Sequence, residues 1–320
     1  MAAKHDVAPS SHGVAPPRTG AASPRRTRPV RRRQGFELAM MAPALVLLAL
    51  ISLIPFVSII WMSLNDVSLM GGLSFTFAGL DNWQRVFTDP DIRSSWWTSL
   101  IYFVATVGLE MVLGTLIALL VHSLTRGANI VISLLLIPMF IAPVIVGLLG
   151  RFLLDPSHGL YAWLLAESGL FTGNILGSVG SAMVAVILMD VWEWTPLVAL
   201  IVLAGLASVP EDILEAAEMD GANYVQKLLR IILPSISSIL LVALLIRAMD
   251  AIRFFDIIFI TTQGGPADST KIIPIRLFDV AFRFFDLGYA ATIGITMLVF
   301  SIVVATAFVR LLKRQERSAT

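Results

Sequence analysis

Residues 215–234 read EAAEMDGANYVQKLLRIILP, a polar and acidic interruption in an otherwise very apolar chain. Glu215, Ala216 and Ala217 are followed, after three residues, by Gly221, and after nine more by Ile231, Leu233 and Pro234. Just upstream, Ser208-Val209-Pro210-Glu211 has the pattern of a helix start. Ser208 is placed to cap, Glu211 to complete a capping box, and Pro210 is tolerated in the first turn. Ile213, Leu214 and Ala217 give this helix an apolar face. Asp220-Gly221 reads as a turn, with glycine where a helix commonly stops. A second short helix over about 222–232 then carries Tyr224, Leu228, Leu229 and Ile232 toward the next apolar run, which Pro234 introduces.

Outward from this loop, six segments are long enough to span a bilayer, which takes about 20 apolar residues. They cover 38–64, 98–123, 129–153, 181–207, 235–261 and 288–310. The chain has 320 residues, 57% of them hydrophobic, and a mean hydropathy of +0.84, outside the range of soluble domains. The expected fold is therefore an all-α, multi-pass membrane protein. Fifteen Lys and Arg residues fall in the N-terminal tail, 124–128, 208–234 and the end from Arg310, against five in the loops 65–97, 154–180 and 262–287. By the positive-inside rule both termini and the 208–234 loop are cytoplasmic.

Residues 1–35 are rich in Pro, Ser, Ala and Arg, a composition that cannot bury enough apolar surface to fold. They read as a disordered cytoplasmic tail, followed by a six-helix domain over 36–312 and a second tail over 313–320. The run 38–64 has no charge and no small-residue cleavage site, and it is too long for a signal-peptide core, so it reads as a retained anchor helix. Cysteine is absent and the four histidines are scattered, which excludes disulfides and makes a metal site unexpected. The net charge of +1 leaves no nucleic-acid footprint.

The loop sets Glu211, Asp212, Glu215, Glu218 and Asp220 against Lys227 and Arg230. A helix lying on an anionic lipid surface would present a basic face. The acidic face and the small Ala216 and Ala217 favour docking into a groove of another protein.

Charged residues inside spans are costly and are functional candidates. Asp190 and Glu193 lie beside Trp192 and Trp194 in the fourth segment, and Arg247, Asp250, Arg253 and Asp256 lie in the fifth. Glu110 is in the second segment, and Arg151 is near the end of the third. Read as continuous helices, Asp190, Glu193, Trp194 and Leu197 share one face, as do Arg247, Asp250, Ala251 and Phe254. At 1.5 Å per residue, Arg247 to Ala251 lie roughly 18–24 Å above the inner surface, near the midplane. Carboxylates, a guanidinium and aromatic rings at one depth suit a sugar, whose hydroxyls need polar partners and whose ring face stacks. The alternative is that these charges pair with one another. Arg253, Asp256 and Glu110 read as structural or gating groups, and Trp96, Trp97 and Trp163 as interface aromatics.

On these residues the chain resembles the permease subunits of carbohydrate-uptake ABC importers, the EAA-loop family of maltose, trehalose and glycerol-phosphate type. The likeness runs over about 38–312. It includes Thr262-Gln263-Gly264-Gly265-Pro266, Ala281-Phe282 and Gly288-Tyr289-Ala290-Ala291. The resemblance implies a type I importer fold in the bacterial inner membrane. It implies a heterodimer with a second EAA-type permease, two copies of an ABC ATPase subunit that bind the ATP and Mg, and an extracytoplasmic sugar-binding protein. Glu215, Ala216, Ala217, Asp220, Gly221, Leu233 and Pro234 would couple to the ATPase, and Gly264, Gly265 and Pro266 would face the binding protein. The family's sugar-contacting positions fall at Asp190, Trp194, Leu197, Arg247, Ala251 and Phe254. Several of these are neutral or small in the maltose permease, which implies a different cargo here.

The expected function is ATP-driven import of a sugar, a disaccharide such as trehalose or maltose among the candidates. The alternatives are glycerol-phosphate or a polyol as cargo, or an ion-coupled secondary transporter, which would leave the loop without a purpose. No enzyme is expected: the sequence has no phosphate-binding Gly-x-x-x-x-Gly-Lys-Ser/Thr loop and no Gly-x-Ser-x-Gly or His-Glu-x-x-His arrangement. No cofactor is expected in this chain.

Overall fold

The computed structural model of the protein describes residues 31–69, 72 and 74–319. Two compact units are distinguished, Met1–Ile54 and Pro55–Thr320. In the first, the described residues form the leading part of α1 (Arg31–Ser63). Helix already begins within the stretch 1–35 that the composition marks as unstructured, because arginine is a good helix former and extends the apolar helix toward its N-terminus. Residues 1–30 lie outside the described residues. From Met40 the apolar side chains of this unit are almost all exposed, the property of a helix whose solvent is lipid.

The second unit holds the end of α1 and everything after it. A small antiparallel hairpin, β1 (Asn65–Ser68) with β2 (Ser74–Phe77), pairs Asn65 with Phe77 and Ser68 with Ser74. Helix α2 (Asp81–Thr88) buries Asn82 and Val86. Helix α3 (Pro90–His122) opens with proline in its first turn, and the Asp89 side chain accepts the Asp91 N–H at 2.8 Å.

The third apolar segment departs from the expected straight span. It is α4 (Ala128–Leu136), a 3₁₀ turn at Pro138–Phe140, and α5 (Pro143–Leu153), with a 90° bend. Pro138 and Pro143 each remove a backbone donor and restrict the residue before them, so an α-helix cannot run through. After α6 (Leu160–Glu167), α7 (Val179–Leu206) is continuous despite the buried Pro196 inside it.

Helices α8 (Glu211–Met219) and α9 (Tyr224–Lys227), a π-helical turn at Leu228–Ile232 and α10 (Leu233–Ser235) form the loop and its exit. The expected span 235–261 is broken into α11 (Ser237–Ala251) and α12 (Asp256–Thr261). The chain also bends by 66° between Tyr224–Ser235 and Ser237–Thr261. Helix α13 (Ile273–Phe278), a π-helical turn at Asp279–Arg283 and α14 (Leu287–Ala319) complete the unit. The last helix runs through most of the segment 313–320 that had been read as a tail.

Among the described residues four helices, Met40–Ser63, Pro90–His122, Val179–Leu206 and Leu287–Arg314, are long and apolar enough to cross a membrane. Up to six spans result if each bent pair counts as one. Among the described residues the fold is thus all-α apart from one hairpin. Apolar burial gains little in lipid, so close packing and polar contacts hold such bundles together. The contact of α3 with α7 shows both. A Cβ at Gly114 would stand 2.7 Å from Cβ and Cγ1 of Val198, so glycine lets the two backbones approach. One turn earlier on α3 stands the buried Glu110.

Candidate functional site

Three helices bring their charges to one buried point. Arg247 of α11 is fully buried, as are Glu110 of α3 and Asp190 of α7. Arg247 Nε and Nη2 donate to Glu110 Oε2 and Oε1 at 2.6 and 2.7 Å, a bidentate pair. Nη2 also reaches Asp190 Oδ2 at 3.3 Å, and Nη1 donates to Asp250 Oδ2 at 2.6 Å. The guanidinium lies over the Trp194 ring, 5.0 Å from its centroid. Asp250, whose side chain is 45% exposed, is the open edge of the cluster. Glu193 is 1% exposed, and neither of its carboxylate oxygens has a partner.

Why the fifth segment breaks is visible in the same place. Charges three apart on one straight helix turn progressively around it. Here α11 ends at Ala251, and Arg253 N–H and Phe254 N–H close tight turns onto Asp250 and Ala251. The break leaves Arg247 inside and places Arg253 and Asp256 on the exposed surface. Arg253 Nε donates to the Met249 carbonyl, one of those the helix end leaves free, at 3.3 Å.

The acidic loop is a helix–glycine–helix projection. Gly221 has φ of +80°, the left-handed conformation that glycine adopts without strain. Around it Ala222 N–H donates to Ala217 O at 2.9 Å and Gly221 N–H to Glu218 O at 2.9 Å, closing the end of α8. Glu215, Ala216, Asp220, Gly221 and Pro234 are exposed, and Ala217 and Leu233 are half-buried. Lys227 of α9 forms an ion pair with Glu218 of α8.

Two local details of this projection differ from the sequence pattern. The capping box at Ser208 does not form, because Pro210 itself occupies the residue before α8, two positions after Ser208. The Ser208 hydroxyl instead donates back to Gly205 O at 2.7 Å. A capping box does form at α9, where Asn223 and Gln226 exchange side-chain and backbone bonds at 2.9 Å. The second helix is also shorter than 222–232, because it passes into the π-helical turn after Lys227.

The loop between α12 and α13 is tight and heavily paired. Gly264 has φ of +92°, the Gly265–Pro266 bond is cis, and Gln263, Ala267 and Asp268 also have positive φ. Thr270 Oγ1 bonds Gly265 O at 2.8 Å and Thr262 Oγ1 at 2.7 Å. Asp268 pairs with Lys271 at 2.6 Å and with Arg276 at 2.8 Å, and Arg276 reaches Asp91 of α3 at 3.3 Å. Burial pushes the Asp268 carboxyl up, but the Lys271 and Arg276 charges outweigh it and hold it below its ordinary value. Tyr289, from the Gly288-Tyr289-Ala290-Ala291 stretch, donates to Asp89 at 2.8 Å, with the Arg85 guanidinium 3.9 Å from its ring centroid. That stretch therefore fastens α14 to the start of α3.

A family profile described as the binding-protein-dependent transport system inner membrane component matches residues 110–317, a range that takes in both the cluster and the loop. The chain belongs to this family. It is 33% identical over 274 residues to the trehalose/maltose transport system permease protein MalF of Thermococcus litoralis, covering 85% of this chain and 91% of that one. It is 34% identical over 287 residues to the trehalose transport system permease protein SugA of Mycobacterium tuberculosis, covering 88% and 89%. Its fold matches a chain of the bacterial alginate ABC transporter, solved in complex with an alginate pentasaccharide-bound periplasmic protein. The TM-score is 0.77 over 88% of this chain and 96% of that one, at 20% identity.

As a member of this family the permease is an inner-membrane translocation component and not itself an enzyme. Within it, Arg247, Asp190 and Asp250 meet one another and Glu110, which the sequence had placed among structural or gating groups. The broken helix takes Phe254 off the face shared by Arg247, Asp250 and Ala251. Phe254 stacks on Tyr102 of α3, with centroids 5.2 Å apart, in an apolar core. Ala251 is buried, while Leu197 and Trp194 are half-buried. The cavity beside Tyr102 and Ala251, about 380 Å³, is lined by neither Asp190 nor Glu193. Glu110 had a legible signal: after Arg93 it is the only Asp, Glu, Lys or Arg in α3, and a lone carboxylate in a span requires a cation from another helix. Tyr102 had none, being one aromatic among many.

Proposed function

We propose that this chain is one of two related permeases in an importer that moves a sugar into the cytoplasm at the expense of ATP. The observation that carries the reading is the exposed acidic helix–Gly221–helix projection on a membrane bundle of the binding-protein-dependent family. Two relatives that match it over most of their length are named for trehalose or for trehalose and maltose transport. In this reading the six segments span the membrane with both termini inside, so the loop faces the cytoplasm. Glu215, Ala216, Ala217, Asp220 and Gly221 dock on one of a pair of ATPase subunits that hold ATP and Mg, and Leu233 and Pro234 pass the motion to α11. Gly264, Gly265 and Pro266 face an extracytoplasmic binding protein that delivers the cargo. Asp190, Glu193, Trp194, Leu197, Arg247, Asp250, Ala251 and Phe254 surround the cargo path, directly or by holding the groups that line it.

Reconstitution of the complete transporter in vesicles tests this. Uptake is expected to require ATP inside the cell-equivalent compartment and loaded binding protein on the opposite face. Undiminished uptake without either would sink the proposal in favour of an ion-coupled carrier.

A further inference from the structure

The buried cluster leaves a particular set of polar atoms over. Four of the five N–H groups of Arg247 are committed to Glu110, Asp190 and Asp250. Among the described residues, Asp190 Oδ1, both Glu193 oxygens and the Trp194 Nε1–H have no partner. The Tyr102 hydroxyl lies beside Asp190. Buried polar atoms are costly to leave unpaired, so this set calls for a partner that the described residues do not supply.

Its chemistry is one-sided. Three carboxyl oxygens are left over, and the four acidic side chains Glu110, Asp190, Glu193 and Asp250 stand around one guanidinium. Arg253, the next cation along the chain, is exposed and turned to the Met249 carbonyl. A phosphate, sulfonate or carboxylate can only accept. It would need a counter-charge away from water, and Arg247, the cation of the cluster, is already shared among three acids. A hydroxyl donates to Asp190 or Glu193 and accepts from Trp194 or Tyr102 through the same oxygen.

We infer that the cargo presents uncharged hydroxyl groups, and no anionic group, to this site. Glu193 is the specificity-determining residue, and Arg247 is a positioning residue that holds the carboxylates and not the cargo. The inference rests on the import reading above and narrows it. Sugars and polyols are retained, and glycerol-phosphate is excluded.

The test uses the whole transporter in vesicles with its binding protein and two probe panels. One is neutral (trehalose, maltose, glycerol) and the other anionic (trehalose 6-phosphate, glycerol 3-phosphate). ATP-driven uptake is expected for the neutral panel alone. Glu193→Gln is expected to lower that uptake about tenfold or more, the effect of leaving a buried hydrogen-bonding group unsatisfied, whereas Glu193→Asp stays within about threefold. ATPase stimulation by the binding protein, read in the same vesicles, reports that each variant has assembled. Should Glu193→Gln fail to assemble, Trp194→Phe removes the Nε1–H donor while keeping an aromatic face for Arg247, and is expected to reduce neutral uptake in the same way. Comparable uptake of an anionic probe, or wild-type uptake in the Gln or Phe variant, would overturn the inference while leaving the import reading in place. No uptake and no ATPase stimulation with any probe would instead overturn the import reading, and this inference with it.

Discussion

The acidic side chains of α8 and its closing turn lie in water, whereas Glu110, Asp190 and Glu193 lie out of it, with Asp250 at the edge. In the loop, Glu211, Asp212, Glu215 and Asp220 are exposed, and Lys227 meets only Glu218. Water satisfies these carboxylates, so the fold does not depend on them and they remain free to meet another chain. In the cluster no water screens the charge, and the protein has to supply the counter-charge itself. Arg247 does so for three acids on three helices. The contrast separates two uses of a carboxylate. The exposed set is available to a partner, while the buried set is part of the architecture except where an oxygen has been left over.

Arg247→Ala should break the comparison most severely. It leaves Glu110 and Asp190 buried without a counter-charge, at a cost of about 3–5 kcal/mol. The expected result is loss of assembled complex, or a large fall in its thermal midpoint in detergent. An unchanged midpoint would show that the cluster is not holding the helices together.

Gly221→Asp tests the other side. A side chain at φ +80° costs only about 1 kcal/mol locally, so the membrane bundle should assemble normally. Uptake should nevertheless fall, with the binding-protein-stimulated ATPase uncoupled from it. Normal transport in this variant would remove the mechanical role assigned to the loop.

Asp268 sharpens the comparison at the intermediate case of a partly exposed, well-paired acid. Its folded carboxyl sits below the ordinary value, so its pairs add stability above about pH 4 that is lost as pH falls through the lowered folded value. With the side chain 47% exposed, solvent screening limits this to less than about 1 kcal/mol. Amide exchange of residues 262–272, corrected for intrinsic rate, should quicken as pH drops below about 4, and Asp268→Asn should abolish that dependence. Lys227→Ala should have the smallest effect, about 0.5 kcal/mol or less for an exposed pair. A thermal midpoint within error of the wild type is expected, and a clear drop would mean that the α8–α9 projection depends on its ion pair.

Much of this was legible before any coordinates. Gly221 as a helix stop, the acidic surface of the loop and the apolar length of the long helices follow from local chemistry that operates within a few residues. The misreadings have a common cause as well. Ser208 looked like a cap because the pattern is right, but the position of Pro210 relative to the first turn settles which residue caps. Phe254 looked like part of a polar face because 3.6-residue periodicity assumes an unbroken helix, and α11 stops at Ala251. The straight third span failed because two prolines five residues apart outweighed apolar length.

The sequence by itself determined the class of the molecule, a multi-pass permease with a polar, acidic loop. Apolar length, charge distribution and loop motifs are properties of the chain read in order. Only the tertiary structure decided which charges meet. Glu110, Asp190 and Arg247 lie on three helices, with 137 positions between the first and the last, and no pattern along the chain pairs them. Their meeting depends on how closely α3 and α7 pack and where α11 ends. That geometry decides which carboxyl oxygens are held by Arg247 and which are left unpaired.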